Sequence, residues 1–149
     1  MQNTFTVSTD KSQLDIPMIH HYLSKESYWA MNIPLNLVMK SIEGSFCFGV
    51  YEEVKQVGFA RVITDLATYA YLADVFIIPS SQGKGLGKML MKAIMEHPDM
   101  QGFRRWMLAT RDAHGLYAQF GFTPLEKPER IMALSPFLEY PDEENKKKS

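Results

Sequence analysis

The chain has 149 residues, the length of one compact domain. Apolar residues make up 46% and charged residues 22%, which excludes the polar, aromatic-poor composition of a disordered chain. A net charge of −1 gives no global field to gather nucleic acid or anionic lipid, so neither is an expected partner and an anionic ligand needs a local device.

In chain order, residues 5–9 read as a strand, residues 16–23 as a helix with Pro17 suited to its first turn, and residues 34–41 as a second helix. Residues 27–32 between the helices, Ser-Tyr-Trp-Ala-Met-Asn, follow neither period and are expected to form an irregular connection carrying large side chains. Strands at 45–51, 56–64 and 68–78, joined by short connections, imply an antiparallel meander. The third is apolar on both faces: Tyr69, Tyr71, Ala73, Val75 and Ile77 alternate with Ala70, Leu72, Phe76 and Ile78. That pattern belongs to a central strand covered by helices on both sides.

After Pro79 the period becomes helical, with Leu86, Met89, Leu90, Ala93 and Ile94 on one face until His97-Pro98 ends it. Residues 105–110 read as a strand, 113–120 as a short helix closed by Gly121, and 130–134 as a last strand. The order is βααβββαβαβ, in a single domain over residues 1–140 with a solvated charged tail at 141–149. Cys47 has no cysteine to pair with, the N-terminus lacks a secretory pattern, and no apolar run nears the ~20 residues of a membrane span. The expected location is cytoplasmic, with no membrane partner.

The segment that carries chemistry is Gln82-Gly83-Lys84-Gly85-Leu86-Gly87, between a buried strand and an amphipathic helix. Its glycines let backbone approach a ligand and its helical N–H groups point outward, which makes a phosphate cradle; the plainer reading is a tight turn. Met89 stands where a Walker loop needs a hydroxyl for magnesium, and an antiparallel meander precedes the loop instead of a parallel βαβ unit. Triphosphatase and dinucleotide-binding folds are therefore disfavoured.

With Gln82, Gly85 and Gly87 matching Gln/Arg-x-x-Gly-x-Gly/Ala after an apolar strand, and residues 116–122 similar to a Tyr-x-x-x-Gly-Phe segment, the sequence resembles the GCN5-related N-acetyltransferase (GNAT) superfamily over residues 5–134. The resemblance implies an α/β (α+β) fold with a mixed, mostly antiparallel central sheet and helices on both faces. It implies acetyl-CoA as co-substrate: amides of Gly83, Lys84, Gly85, Leu86, Gly87 and Lys88 hold the pyrophosphate, and the backbone of Val75, Phe76 and Ile77 pairs with the pantetheine arm. Thr110 stands where many relatives carry Asn, the 111–114 connection is short, and the 69–78 strand lacks the glutamate that relatives often use as base.

Amine acetylation needs a proton acceptor for an ammonium of pKa near ~10 and a donor for the departing thiolate. Tyr117 is the phenol in the position matching the family; the alternative is a core aromatic beside Phe120 and Phe122. Asp74, the acid inside an apolar strand, is the base candidate. If the 65–67 hairpin sets Arg61 opposite Leu72, however, Asp74 becomes its diagonal neighbour and a structural ion-pair partner. His114, one helical turn before Tyr117, is either a proton relay or a surface group.

Tyr28 and Trp29, with Arg61, are candidate acceptor-binding residues; for the two aromatics the alternative is a lid packed on the core. Cys47 and the ten methionines read as core, and His20-His21 lack a third ligand, so no metal is expected. The resulting expectation is an acetyl-CoA-dependent N-acetyltransferase acting by direct transfer in a ternary complex on the primary amine of a small or amino-acid-like acceptor. A homodimer is compatible with it. Alternatives are a protein N-terminal or lysine acetyltransferase and a non-catalytic CoA-binding sensor.

Overall fold

Five strands form one sheet in chain order: β1 (Phe5–Ser8), β2 (Phe46–Glu52), β3 (Lys55–Thr64), β4 (Tyr69–Ile77) and β5 (Arg105–Leu108). The first three junctions are antiparallel and the β4–β5 junction is parallel. This computed structural model describes residues 4–142; most of the charged tail, at 143–149, lies outside them. The mixed, mostly antiparallel sheet expected from the sequence is present, with helices on both faces.

One face carries α1 (Ile16–His21) and α2 (Leu35–Glu43), which bury Ile19, Val38 and Ile42, with Leu23 from the turn after α1, against Cys47, Phe59 and Phe76. The other carries α3 (Leu86–Glu96) and the short α4 (His114–Ala118), where Leu86, Leu90, Met91 and Ile94 pack on Phe48, Val62, Ala70 and Leu72. Asp15 caps α1 by accepting from the Met18 amide at 3.1 Å, with Pro17 in the first turn. The chain then widens into a π-turn, Tyr22–Glu26, and enters the irregular 27–32 connection anticipated above.

The structure corrects the sequence reading at four places. Residues 130–134 pair with no strand among the described residues, so the order ends on α4. Thr64 faces Ala70, and this puts Arg61 opposite Ala73, one residue away from the expected Leu72. The reason lies in the turn: the Asp65 carboxylate accepts from the amides of Ala67, Thr68 and Tyr69 and widens the connection.

A β-bulge at Asp74, whose φ is +54°, then flips the alternation of β4. Phe76 therefore packs on the α1–α2 side, opposite Phe59, instead of sharing a face with Ala70 and Leu72. Finally, the methionines are not uniformly core: Met91 and Met100 are buried, but Met39 and Met132 are exposed.

Candidate active site

Ladder pairing between β4 and β5 stops at Leu72 and Leu108, yet β4 continues to Ile77. Residues 73–77 therefore present a free backbone edge toward β5, and residues 109–113 swing away from it. The V-shaped slot between them is a cavity of ≈ 560 Å³ lined by Val75 and Asp74 on β4, Tyr28 and Trp29 from the α1–α2 connection, Arg111 and Asp112 after β5, and Tyr117 of α4. Residues 105–110 were expected to be a longer strand; its early end at Leu108 is what opens the slot.

At the carboxyl end of β4 the chain turns into α3 through Gly83 (φ +80°) and Gly85 (φ +77°), conformations that favour glycine. The first helical-type bond runs from the Met89 amide to the Gly85 carbonyl at 3.1 Å, so the amides of residues 83–88 have no acceptor among the described residues. A Cβ at Gly83 or Gly85 meets nothing within 4 Å. Open space beside six unsatisfied donors at a helix N-terminus suits a pyrophosphate. Gln82 is exposed, and its Nε2 donates to the Ile77 carbonyl at 3.0 Å, which takes one backbone acceptor from the β4 edge.

Tyr117 is buried at 8% exposure and sits at the floor of the slot. Its hydroxyl donates to no group among the described residues. Burial, with smaller contributions from Tyr28 and Asp112, pushes its pKa up to about 12, so the phenol holds its proton throughout the neutral range. It also packs edge-on against Phe122 at 6.1 Å, so the core and slot readings both describe it.

Asp74 is held on both oxygens. Arg61 Nε donates to Oδ2 at 2.9 Å and Trp29 Nε1 donates to Oδ1 at 2.8 Å, while Arg61 Nη1 reaches Ser45 Oγ at 2.9 Å. Side-chain exposures of 15% for Arg61 and 10% for Asp74 make this a nearly buried ion pair. The geometry favours the structural role of Asp74 over that of a base, and it turns Arg61 away from the slot into the support of Trp29.

His114 is exposed at the start of α4 and shares with Tyr117 a second cavity of ≈ 400 Å³ behind β5. His20 is tied to the Ile33 carbonyl at 2.9 Å. Cys47 is buried, and burial pushes its thiol up to about 11, which suits a packing residue and not a nucleophile.

Two residues escaped the sequence reading. The Arg111 guanidinium lies 3.9 Å over the Tyr28 ring while its amide donates to Tyr28 Oη at 2.9 Å, so residue 111 closes one end of the slot onto the aromatic wall. Asp112 lines the same cavity, and its one ion-pair contact among the described residues is a long 4.0 Å approach to Arg111. The available signal was positional, since ligands in α/β sheets gather beyond the carboxyl ends of parallel strands, where Thr110, Arg111 and Asp112 lie.

Residues 43–124 match the family described as the acetyltransferase (GNAT) domain. A protein of Gibberella zeae named as an acetyltransferase is 34% identical over 137 residues, covering 77% of this chain and 76% of its own length. Among solved structures, one from Xanthomonas campestris pv. campestris assigned to the GNAT family is 52% identical, covers 91% of this chain and 95% of its own, and superposes with a TM-score of 0.87. An N-acetylglutamate synthase from Neisseria gonorrhoeae, solved with coenzyme A and N-acetyl-glutamate, shares the fold at 18% identity and a TM-score of 0.67, over 87% of this chain and 30% of its own.

Proposed function

The chain belongs to the GNAT acetyltransferase family and is an acyltransferase; from that premise we propose that it moves an acetyl group from acetyl-CoA to the primary amine of a small or amino-acid-like acceptor, both held together in the slot. The observation that carries the reading is the slot itself, with a free β4 edge on one wall and a protonated buried phenol in its lining, together with six unsatisfied amides at the turn by which β4 leads into α3. These groups fit the donor. Amides of residues 83–88 would hold its pyrophosphate, and the backbone of Val75 and Phe76 would pair with its amide-bearing arm.

Acetyl-CoA supplies a thioester, an acyl group activated toward amines. The protein's own residues do the rest. Tyr117 Oη keeps a proton at neutral pH and is placed to give it to the leaving sulfur. Tyr28 and Trp29 wall the acceptor side with apolar ring surface, and the Arg61–Asp74 pair fixes the indole in place. With Asp74 committed to that pair, the amine proton passes to water or to Asp112.

The test is calorimetric titration with acetyl-CoA, followed by free-thiol release over a panel of small primary amines, amino acids and short peptides. The reading expects binding, and release that depends on a small amine or amino acid. Release with peptides alone would return the protein-acetylating alternative, and binding without acceptor-dependent release would return the sensor.

A further inference from the structure

Among the described residues, the charged side chains lining the slot are Asp74, Arg111 and Asp112. Asp74 is already matched by Arg61 at 2.9 Å, so the field inside the slot is set by the neighbouring residues 111 and 112. These are of opposite sign yet not bonded to each other: Arg111 Nη2 stands 4.0 Å from Asp112 Oδ2, longer than a hydrogen bond. Both side chains are exposed, and the guanidinium makes no hydrogen bond among the described residues.

The guanidinium nevertheless has a fixed place. It lies 3.9 Å over the Tyr28 ring, and the Arg111 amide donates to Tyr28 Oη at 2.9 Å, so ring and backbone together hold the cation at the end of the slot. Stacking uses the face of a guanidinium and leaves its in-plane N–H donors open. Such a planar fork is the partner of a carboxylate, which it binds through paired hydrogen bonds. The Trp29 ring meets Tyr28 edge-on at 5.0 Å and is pinned by Asp74, which sets a rigid apolar surface beside the cation.

Resting on the acetyl-transfer reading above, we propose that the acceptor is a free α-amino acid with an apolar side chain: its carboxylate on Arg111, its amine beside Asp112 and its side chain along Trp29. An α-amino acid carries opposite charges on adjacent groups, as residues 111 and 112 do, so one orientation satisfies both. A peptide N-terminus has a neutral amide where the carboxylate stands and leaves Arg111 unpaired, and a polyamine brings a second cation toward it. In the transfer the N–C bond forms as the thioester C–S bond breaks; of the protons the ammonium sheds, one ends on the thiol and the other in solvent.

The experiment measures thiol release by the full chain at saturating acetyl-CoA, with leucine against isoamylamine, the same amine without the carboxylate. A site built to bond a group rejects the analogue lacking it, so wild-type kcat/KM should be at least about tenfold higher for leucine, mainly through KM. Arg111→Ala, at an exposed position, should bring the two acceptors within about threefold of each other. Arg111→Lys keeps the charge without the fork and should fall between. Any general effect on the slot acts on both acceptors and cancels in their ratio. A wild type without the preference, or a preference that survives Arg111→Ala, overturns the proposal. Thiol release from no acceptor would instead remove the acetyl-transfer reading, and calorimetry then decides the carboxylate site by itself. With CoA bound, N-acetylleucine should bind wild type at least about tenfold more tightly than N-isoamylacetamide and lose that margin in Arg111→Ala; equal binding of the two to wild type overturns it.

Discussion

Asp74 occupies a left-handed backbone conformation, φ +54°, in the middle of the strand that walls the slot, and its two oxygens bind Arg61 and Trp29. Asn tolerates that conformation and is nearly isosteric, so Asp74→Asn isolates the charge. Leaving Arg61 nearly buried and unpaired should lower stability by about 3 kcal/mol, read as a shift in the denaturation midpoint, while the acidic limb of the pH–rate profile stays where it is. A vanished acidic limb at unchanged stability would restore the base role.

The sequence paired Arg61 with Asp74 on a register that the structure shifts by one, and it is the bulge at Asp74 that keeps the two in contact. The sequence could not supply Trp29, whose indole arrives from 45 positions away through an irregular connection with no period to read. Nor could it supply Arg111, whose ring contact joins segments 83 positions apart.

At the scale of elements, two turns set the geometry of β4. The Asp65 carboxylate is drawn well below the usual carboxylate range, first by the Thr68 hydroxyl and then by the backbone amides it accepts. A depressed folded-state value means this contribution is present above the unfolded value of about 4 and fades as pH falls through the folded one. Asp65→Ala should therefore lower the melting temperature at pH 7 and bring it closer to the wild type's as the solution is made strongly acidic; a gap independent of pH would contradict this.

The turn after β4 offers a cleaner probe at Gly87, where an added Cβ meets only Leu116 Cδ2 at an ordinary 3.6 Å. Gly87→Val should fold yet lose at least about tenfold in acetyl-CoA affinity, 1.4 kcal/mol, by titration calorimetry. Unchanged affinity would remove the cradle from the account. The glycine pattern, the meander and the helical period of α3 were legible because each is local. The wide 65–69 turn, the bulge at Asp74 and the unpaired 130–134 segment were not, since each depends on hydrogen bonds or partners that propensity does not encode.

Across the whole molecule, the sheet separates two cores. The α1–α2 side supplies the aromatic wall and the α3–α4 side supplies the cradle and Tyr117, so the slot lies where both meet at the β4 edge. No helix among the described residues is long and apolar enough to cross a membrane. The element order was legible in the sequence; the aromatic wall, built from residues far apart in the chain, was not.

The most direct measurement is the rate of acceptor-dependent thiol release by Tyr117→Phe against wild type, with acetyl-CoA affinity followed in parallel. The phenol keeps its proton up to about 12, so wild-type turnover should show no alkaline loss from this group below pH 9. General-acid assistance contributes ~10²–10⁴-fold, so kcat should fall within that range while affinity for acetyl-CoA changes little. Release within about threefold of wild type, with the chemical step shown to limit the rate, would contradict the account.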